Sequence, residues 1–172
     1  MNGGLVRLAK FVRDLLGQPE FTVVRLGRAN QEREDFTALQ IVIDAISPAE
    51  TISQATEYDG DAEVMTYALQ YQLATTINFY GDGAYNELQR FAMLRRSENG
   101  LSLQKSLGLE VYTPRGFTDL KFLTGEQYSE RFELNCTIVY TETVTENILR
   151  IDTASGTIQT ERGVNTWQTL AT

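Results

Sequence analysis

Apolar and polar residues alternate along residues 126–145 more regularly than elsewhere in the chain. Only Glu130 interrupts the run. A period of two residues is typical of a strand with one buried and one solvated face. The segment therefore predicts one long strand, whose odd-numbered residues face outward. The apolar residues at its even positions are Tyr128, Phe132, Leu134, Cys136, Ile138 and Tyr140.

A second alternating run, residues 63–80, predicts another long strand. About fifteen residues of alternation exceed the usual five or six of a strand, so it either bends at a bulge or projects past its sheet. Shorter runs predict strands over 21–28, from Leu39 to Ser47-Pro48, and at GLEVYT. The tyrosines of the two long runs are expected in the core or at a subunit interface. They are Tyr67 and Tyr71 in the 63–80 run and Tyr128 and Tyr140 in the 126–145 run.

Two segments carry the helical period. An apolar stripe predicts a helix over residues 4–16 that ends at Gly17 and Pro19. A second helix is predicted over 83–96, with Asp82 as its N-cap. A short helix is also expected over 101–107. The inner faces are predicted to carry Leu5, Leu8, Val12 and Leu15 in the first helix, and Tyr85, Leu88, Phe91 and Ala92 in the second.

The remaining segments indicate turns and a terminal appendage. Residues 49–62 are polar, and Asp59-Gly60-Asp61 is their tightest turn candidate. A hairpin with Thr-Ala-Ser-Gly as its turn is predicted between 148–152 and 157–161. The Thr-rich hairpin and tail over 148–172 is interpreted as an extension of the domain formed by 1–147.

The order of these elements predicts an α+β fold with a mostly antiparallel sheet and two main helices packed on one face. A chain of 172 residues is long enough to bury most of its surface without disulfides or metals. One domain is therefore the expectation for residues 1–147.

Composition removes most catalytic chemistry. The chain has no His and a single Cys, so imidazole-assisted nucleophiles and zinc sites lack their usual residues. Gly81-Asp82-Gly83 does not complete a dinucleotide fingerprint, because Asn86 holds the third glycine position. Asp59, Asp61 and Glu63 do not complete a calcium loop. We expect neither an enzyme nor a bound cofactor or metal.

The net charge of −8 bears on the partners. Lys and Arg form no run that tracks a phosphate backbone, so tight binding of nucleic acid is not expected. The first residues, MNGGLVRLAKFVRDLLG, are amphipathic and have the character of neither a signal peptide nor a membrane span. We expect the protein to stay in the cytoplasm or to be assembled there, without a membrane partner.

The stretch GEQYSERFELNCTIVYTETVTEN resembles the phage neck terminator or tail terminator proteins. These proteins carry a strand that begins G-E-Q-Y-x-E-R-aromatic and ends in a tyrosine and a V-T turn. FTVVRLGRAN, the strand over 63–80 and the helix over 83–96 follow in the order that the family shows. The resemblance covers about residues 1–147.

The resemblance implies a virion structural protein with a tail-terminator-like fold. It implies a ring of copies, usually hexameric, that ends the tail tube, stops its growth and joins it to the head-side neck. The implied partners are other copies, the tail tube protein and a neck or head-completion protein, and DNA passes through the lumen without specific binding. The alternatives are an assembly factor absent from the virion and another head-tail connector of similar fold.

Five residues are candidates for protein contacts. Trp167 and Leu170 have no evident place in the domain core, so we expect the 148–172 segment to contact a neighbouring subunit or the tube. The three others lie on the outward face of the long strand, where partners are accessible: Arg131, Glu133 and Asn135.

Overall fold

The computed structural model describes residues 3–18, 24–26, 39–113, 116–120, 122–124, 127–148, 153–160 and 163–170, with side chains over 3–18, 39–113, 116–120 and 130–148. The described helices are α1 (Gly3–Leu16), α2 (Ala84–Leu94) and α3 (Glu98–Leu107). The described strands are β1 (Val24–Leu26), β2 (Gln40–Ala45), β3 (Glu50–Asp59), β4 (Val64–Tyr80), β5 (Leu109–Tyr112), β6 (Thr118–Asp119), β7 (Phe122–Thr124), β8 (Gln127–Ser129), β9 (Arg131–Asn147), β10 (Thr153–Thr160) and β11 (Gly163–Leu170).

Seven of these strands form the main sheet. Its path runs β1-β2-β4-β9-β5, while β3 pairs with β4 and β6 pairs with β9. β1 and β2 are parallel, whereas β2–β4, β5–β9 and β6–β9 are antiparallel. Two further antiparallel pairs, β7–β8 and β10–β11, form sheets of their own. The predicted α+β class with a mostly antiparallel sheet is confirmed, and α3 is longer than the short helix expected there.

Contacts divide the chain into two compact units. The first contains Met1–Gln54 and Leu69–Glu142, and the second contains Ala55–Ala68 and Thr143–Thr172. β3, β4 and β9 therefore contribute residues to both. In the second unit, the Ile148 amide donates to the Glu63 carbonyl at 2.9 Å, and the Tyr67 hydroxyl donates to the Glu146 carboxylate at 3.5 Å.

The core of the first unit lies between the helices and one face of the main sheet. Register places Val111 opposite Ile138, and both are buried. The Phe91 ring contacts Phe11, with centroids 6.1 Å apart, and Phe79, with centroids 6.3 Å apart. These rings join α1, α2 and β4. The other core residues of the two helices are Leu8, Val12, Leu15, Leu16, Ala84 and Leu88.

α1 is fixed at its beginning by Arg7 and Gly4. The Arg7 guanidinium donates to the carbonyls of Gly108 at 3.2 Å and Thr141 at 3.0 Å, and it lies 5.8 Å from the centre of the Tyr140 ring. Gly4 lies so close to that ring that an added Cβ would be 2.4 Å from a ring carbon. A helix with a larger residue here would have to move off the sheet.

The strand tyrosines divide between core and surface. Tyr140 is buried, and the half-buried Tyr71 stacks on it with ring centroids 5.4 Å apart. Tyr67 is half-buried in the second unit. The side chain of Tyr128 lies outside the described residues.

The N-terminus of α2 differs from the prediction. Asp82 is not the cap: the N-cap is Gly83, which has φ 82° and gives no side-chain hydrogen bond. Glycine adopts this left-handed conformation without the steric cost that a side chain imposes. The chain therefore turns into the helix through backbone geometry instead of a carboxylate.

The inner face of α2 is also displaced from the predicted one. Leu88 and Phe91 are buried as expected, whereas Tyr85 and Ala92 are exposed. Ala84 at the first position is buried instead. The Tyr85 ring still packs on Phe132, with centroids 5.4 Å apart, at the edge of the core.

α3 follows α2 through a tight connection. The Ser97 hydroxyl accepts from the Gly100 amide at 3.1 Å and donates to the Leu94 carbonyl at 2.7 Å. A Cβ on Gly100 would lie 2.3 Å from that carbonyl oxygen, so glycine permits the close approach. The Gln104 side chain then accepts from the Val111 amide at 2.8 Å and joins α3 to β5.

The segment 49–62, predicted as polar and turn-rich, is mostly strand. β3 is exposed at all ten of its residues, so no buried face produces alternation in its sequence. Its pairing with β4 makes it a strand. The predicted turn is confirmed, because the Asp59 carboxylate accepts from the amides of Asp61 at 3.0 Å and Ala62 at 3.1 Å.

The single strand predicted over 126–145 is wrong, because the chain leaves the strand conformation at Glu130. β8 pairs with β7 in a separate sheet, and β9 begins at Arg131. The Glu130 carbonyl accepts from the Gly81 amide at 3.2 Å. The one residue that interrupted the alternation is therefore the one at which the strand breaks.

The terminal hairpin has a different turn from the predicted one. Thr-Ala-Ser-Gly lies inside β10, and Thr160 pairs with Gly163. The pairing therefore continues beyond the predicted turn, as far as Thr160 and Gly163. Thr and Ser are compatible with the strand conformation, so β10 continues through the motif. The chain therefore does not reverse direction at Gly156.

Candidate subunit interface

The outward face of β9 carries the three strand residues singled out in the sequence. Arg131 and Glu133 are half-buried and Asn135 is exposed, whereas the even-numbered residues from 132 to 140 are buried. The described helices pack against the buried face, through the core residues given above. We call the other face, which no described helix covers, the open face.

Arg131 connects β9 to β4 across the open face. Its guanidinium donates to the Asn78 amide oxygen at 3.2 Å and lies 5.2 Å from the centre of the Tyr80 ring. The Glu133 carboxylate lies 3.9 Å from the same guanidinium. The Arg131 Nε is buried without a hydrogen-bond partner. The arginine is thus held by a cation–π contact with Tyr80, a hydrogen bond to Asn78 and an ion pair with Glu133.

The charges around Tyr80 extend this cluster to β2. Burial raises the pKa of Tyr80, the Asp44 and Glu133 carboxylates raise it further, and the Arg131 charge opposes them. The phenol therefore stays neutral around pH 7. The open face therefore carries half-buried polar groups from three adjacent strands, arranged around the buried Asn78.

Sequence reasoning identified only the β9 part of this cluster. Asn78 lies at an outward position of the predicted strand over 63–80, but nothing in the sequence gives its register against β9. That register puts the Asn78 amide within reach of Arg131. Tyr80 and Asp44 were missed for the same reason.

The two other candidates lie on β11. Trp167 pairs with Gly156, and Leu170 pairs with Thr153. Both belong to the second unit, whereas Arg131, Glu133 and Asn135 belong to the first. Their side chains lie outside the described residues.

A cavity of about 630 Å³ lies beside the C-terminal end of α2 in the first unit. Arg95, Arg96 and Lys105 line it with positive charge, and Glu110 contributes a carboxylate that accepts from the Tyr112 hydroxyl. A second cavity of about 330 Å³ shares Arg95, Arg96 and Thr113 with it. We call the two cavities together the cationic groove.

Arg95 is the most constrained cation of the groove. Burial lowers its pKa, and the neighbouring Arg96 charge lowers it further. Its Nε is buried and makes no hydrogen bond. The guanidinium is therefore a donor whose hydrogen-bonding capacity is not fully used.

The chemistry available at these surfaces is hydrogen bonding and charge. Among the residues with described side chains, no cluster of three or more His, Cys, Asp or Glu is arranged to hold a metal ion. Asp59, a candidate calcium ligand by spacing, uses its carboxylate in the β3–β4 turn. None of the helices in the described ranges has the length and apolar character needed to cross a bilayer.

Comparison with known proteins agrees with a structural role. No curated protein is significantly similar to the chain. The profile of the phage neck terminator proteins matches residues 7–162. The match extends past residue 147, where the resemblance read from the sequence ended, and it includes β10. The chain therefore belongs to the family of phage neck terminator proteins.

Proposed function

We propose that copies of this protein form a ring on the end of the phage tail tube, stop its growth and join the tail to the head-side neck. The family gives the protein a place at the phage neck, together with other tail and neck proteins. The observation that supports self-assembly is the open face, whose polar groups are ordered but not covered by a described helix. We commit the open face to contact with a second copy.

The open face has the properties of a surface that binds a protein. Arg131 and Tyr80 are residue types that concentrate in protein interfaces, because each combines a large contact area with hydrogen-bonding groups. Arg131 is already held against Asn78 and Tyr80, so a partner would not have to order it. Preorganised side chains reduce the entropic cost of association.

The lumen, the ring size and the partners are the remaining parts of the proposal, and they rest on the net charge and on the resemblance to the family. A ring on a tube places a lumen around the DNA, and an acidic subunit of net charge −8 lets DNA pass without adhering. The ring is hexameric, its tube-side partner is the tail tube protein, and its other partner is a neck or head-completion protein. The terminal hairpin, with Trp167 and Leu170, contacts a neighbouring subunit or the tube.

The interface is tested by one exposed residue. Asn135→Arg adds a long cation to the open face, and we expect it to weaken self-association by about tenfold or more, because like charges and bulk are introduced at the contact. Light scattering of the purified protein, alone and with tail tubes, measures the change. Asn86→Arg, on the exposed side of α2, is the matched control.

The control must assemble as the natural chain does. If Asn135→Arg and Asn86→Arg assemble equally well, the open face is not the contact between copies. Mass spectrometry of purified virions separates the proposed role from that of an assembly factor, since a ring component is present in stoichiometric copies. Absence of the protein from virions would overturn the structural role.

A further inference from the structure

Charge is segregated along this chain. Residues 34–89 contain ten Asp or Glu and no Lys or Arg, whereas residues 90–105 contain four Arg or Lys and one Glu. The acidic segment includes the β3–β4 turn, and the basic segment supplies all three cations of the cationic groove. The molecule thus carries two charged surfaces of opposite sign that come from different parts of the sequence.

The described residues that line the groove carry more positive than negative charge. Arg95, Arg96 and Lys105 line it, and Glu110, the one carboxylate among its described lining residues, is already bonded to Tyr112. The Arg95 Nε has no hydrogen-bond partner, and burial together with the Arg96 charge lowers the Arg95 pKa. An anionic group in the groove would stabilise the charged form of the Arg95 guanidinium, whose pKa is otherwise lowered.

The β3–β4 turn carries the complementary groups. Glu57, Asp59 and Asp61 are exposed, and Tyr58 beside them is 45% exposed. The Asp59 carboxylate holds the turn through the amides of Asp61 and Ala62, so the acids are presented on a fixed hairpin. A cavity of about 630 Å³ is in the range of those that bury a ligand of several side chains.

We propose that the cationic groove binds the β3–β4 turn of a second copy of this chain, with the turn carboxylates against Arg95, Arg96 and Lys105. The contact is heterologous, because a groove on one copy meets a turn on the next, and repetition of such a contact generates a ring where the rotation between copies closes. The inference rests on the proposed ring, and it adds a specific pair of surfaces to it.

Two charge reversals test the pairing in the full-length chain. The groove variant is Arg96→Glu/Lys105→Glu, and both of these residues are exposed. The turn variant is Glu57→Lys/Asp61→Lys, which leaves the Asp59 carboxylate in its turn. Each variant alone should associate at least about tenfold more weakly than the natural chain, because like charges then meet at every contact.

An equal mixture of the two variants should recover association. When they alternate, the reversed groove meets the reversed turn and the natural groove meets the natural turn. Lys10→Glu/Arg90→Glu makes the same change in net charge as the groove variant, but outside the groove, and should associate as the natural chain does. A single chain that carries all four reversals separates binding between chains from binding within one chain. If this chain recovers association and the mixture does not, the turn binds within its own chain, and the proposal is overturned.

A second measurement is independent of ring formation. A cyclised peptide of residues 55–65, followed by fluorescence anisotropy, should bind the natural chain, and the groove variant should bind it at least about tenfold more weakly. If the peptide binds but the chain does not assemble, the proposed ring is wrong and the assignment of the groove as a binding site for the turn stands. If the chain assembles, the peptide does not bind and neither reversal has an effect, the assignment of the groove is wrong and the proposed ring stands.

Discussion

At the scale of single residues, Cys136 shows how burial in the core raises the pKa of a thiol. The thiol is buried on β9, its sulfur lies 2.9 Å from the Thr75 hydroxyl oxygen, and that hydroxyl also bonds the Cys136 carbonyl at 3.1 Å. Burial raises the pKa of Cys136 to about 11, although the Thr75 hydrogen bond and the Arg95 charge oppose the rise. The neutral thiol is therefore the stable form in the folded protein.

The raised pKa predicts a loss of stability in alkali. The folded chain holds the thiol proton more tightly than the unfolded chain, whose thiol has an ordinary pKa of 9.0. The contribution of Cys136 is therefore complete below pH 9 and is lost as the pH rises towards 11, with a total on the order of 2–3 kcal/mol. Urea unfolding between pH 8 and 11 measures it.

Cys136→Ser and Cys136→Ala provide the comparison, because neither side chain titrates in this range. Both variants should lose less unfolding free energy between pH 9 and 11 than the natural chain, whatever their stability at pH 8. An identical pH dependence in all three chains would show that the buried thiol does not couple to folding.

Gly100 makes a second prediction at this scale. Gly100→Ala would place a Cβ 2.3 Å from the Leu94 carbonyl oxygen, so the α2–α3 connection would have to open, at a cost of about 1–3 kcal/mol. Gly60→Ala is the control, since its Cβ would meet only a Tyr58 ring carbon at 3.6 Å. Thermal unfolding should rank the natural chain and Gly60→Ala close together and Gly100→Ala well below them; equal midpoints would show that the connection has room.

At the scale of elements, the sequence pattern predicted those helices and strands that bury one face. α1, β2, β4 and β9 have one buried face each, so their apolar periods are visible in the sequence. β3 has no buried face and its strand conformation depends on β4, so its sequence gives no period. The cap of α2 was missed because Gly83 uses backbone conformation, whereas the rule that selected Asp82 concerns side chains.

The candidate site shows the same limit. Arg131, Glu133 and Asn135 were found because they belong to one strand, and alternation assigns them to one face. Their partners Asn78 and Tyr80 come from β4, and only the pairing of β4 with β9 brings them together. Contacts between strands distant in sequence depend on register, which a single sequence does not specify.

The terminal hairpin supports a prediction about an element. β10 and β11 pair with each other in a sheet separate from the main one. We expect deletion of residues 148–172 to leave a folded chain that assembles poorly, because the core residues of the first unit all precede residue 142. Circular dichroism follows folding and light scattering follows assembly. An unfolded deletion variant would place the hairpin in the core instead.

At the scale of the whole molecule, the account joins a family, a surface and a charge distribution. The family assigns the protein to the phage neck. We propose the open face as one contact between copies, and the cationic groove with the acidic β3–β4 turn as a second one of defined direction. Both proposed contacts need another copy, so both are lost together if the chain does not self-associate.

The central claim is that the protein ends the tail tube, and the length of growing tubes tests it most directly. Tail tube subunits are polymerised with increasing amounts of the protein and imaged by negative stain. The account predicts shorter tubes, each with a ring-shaped density at one end only. Tubes of unchanged length, or protein bound along the sides and at both ends alike, would contradict it.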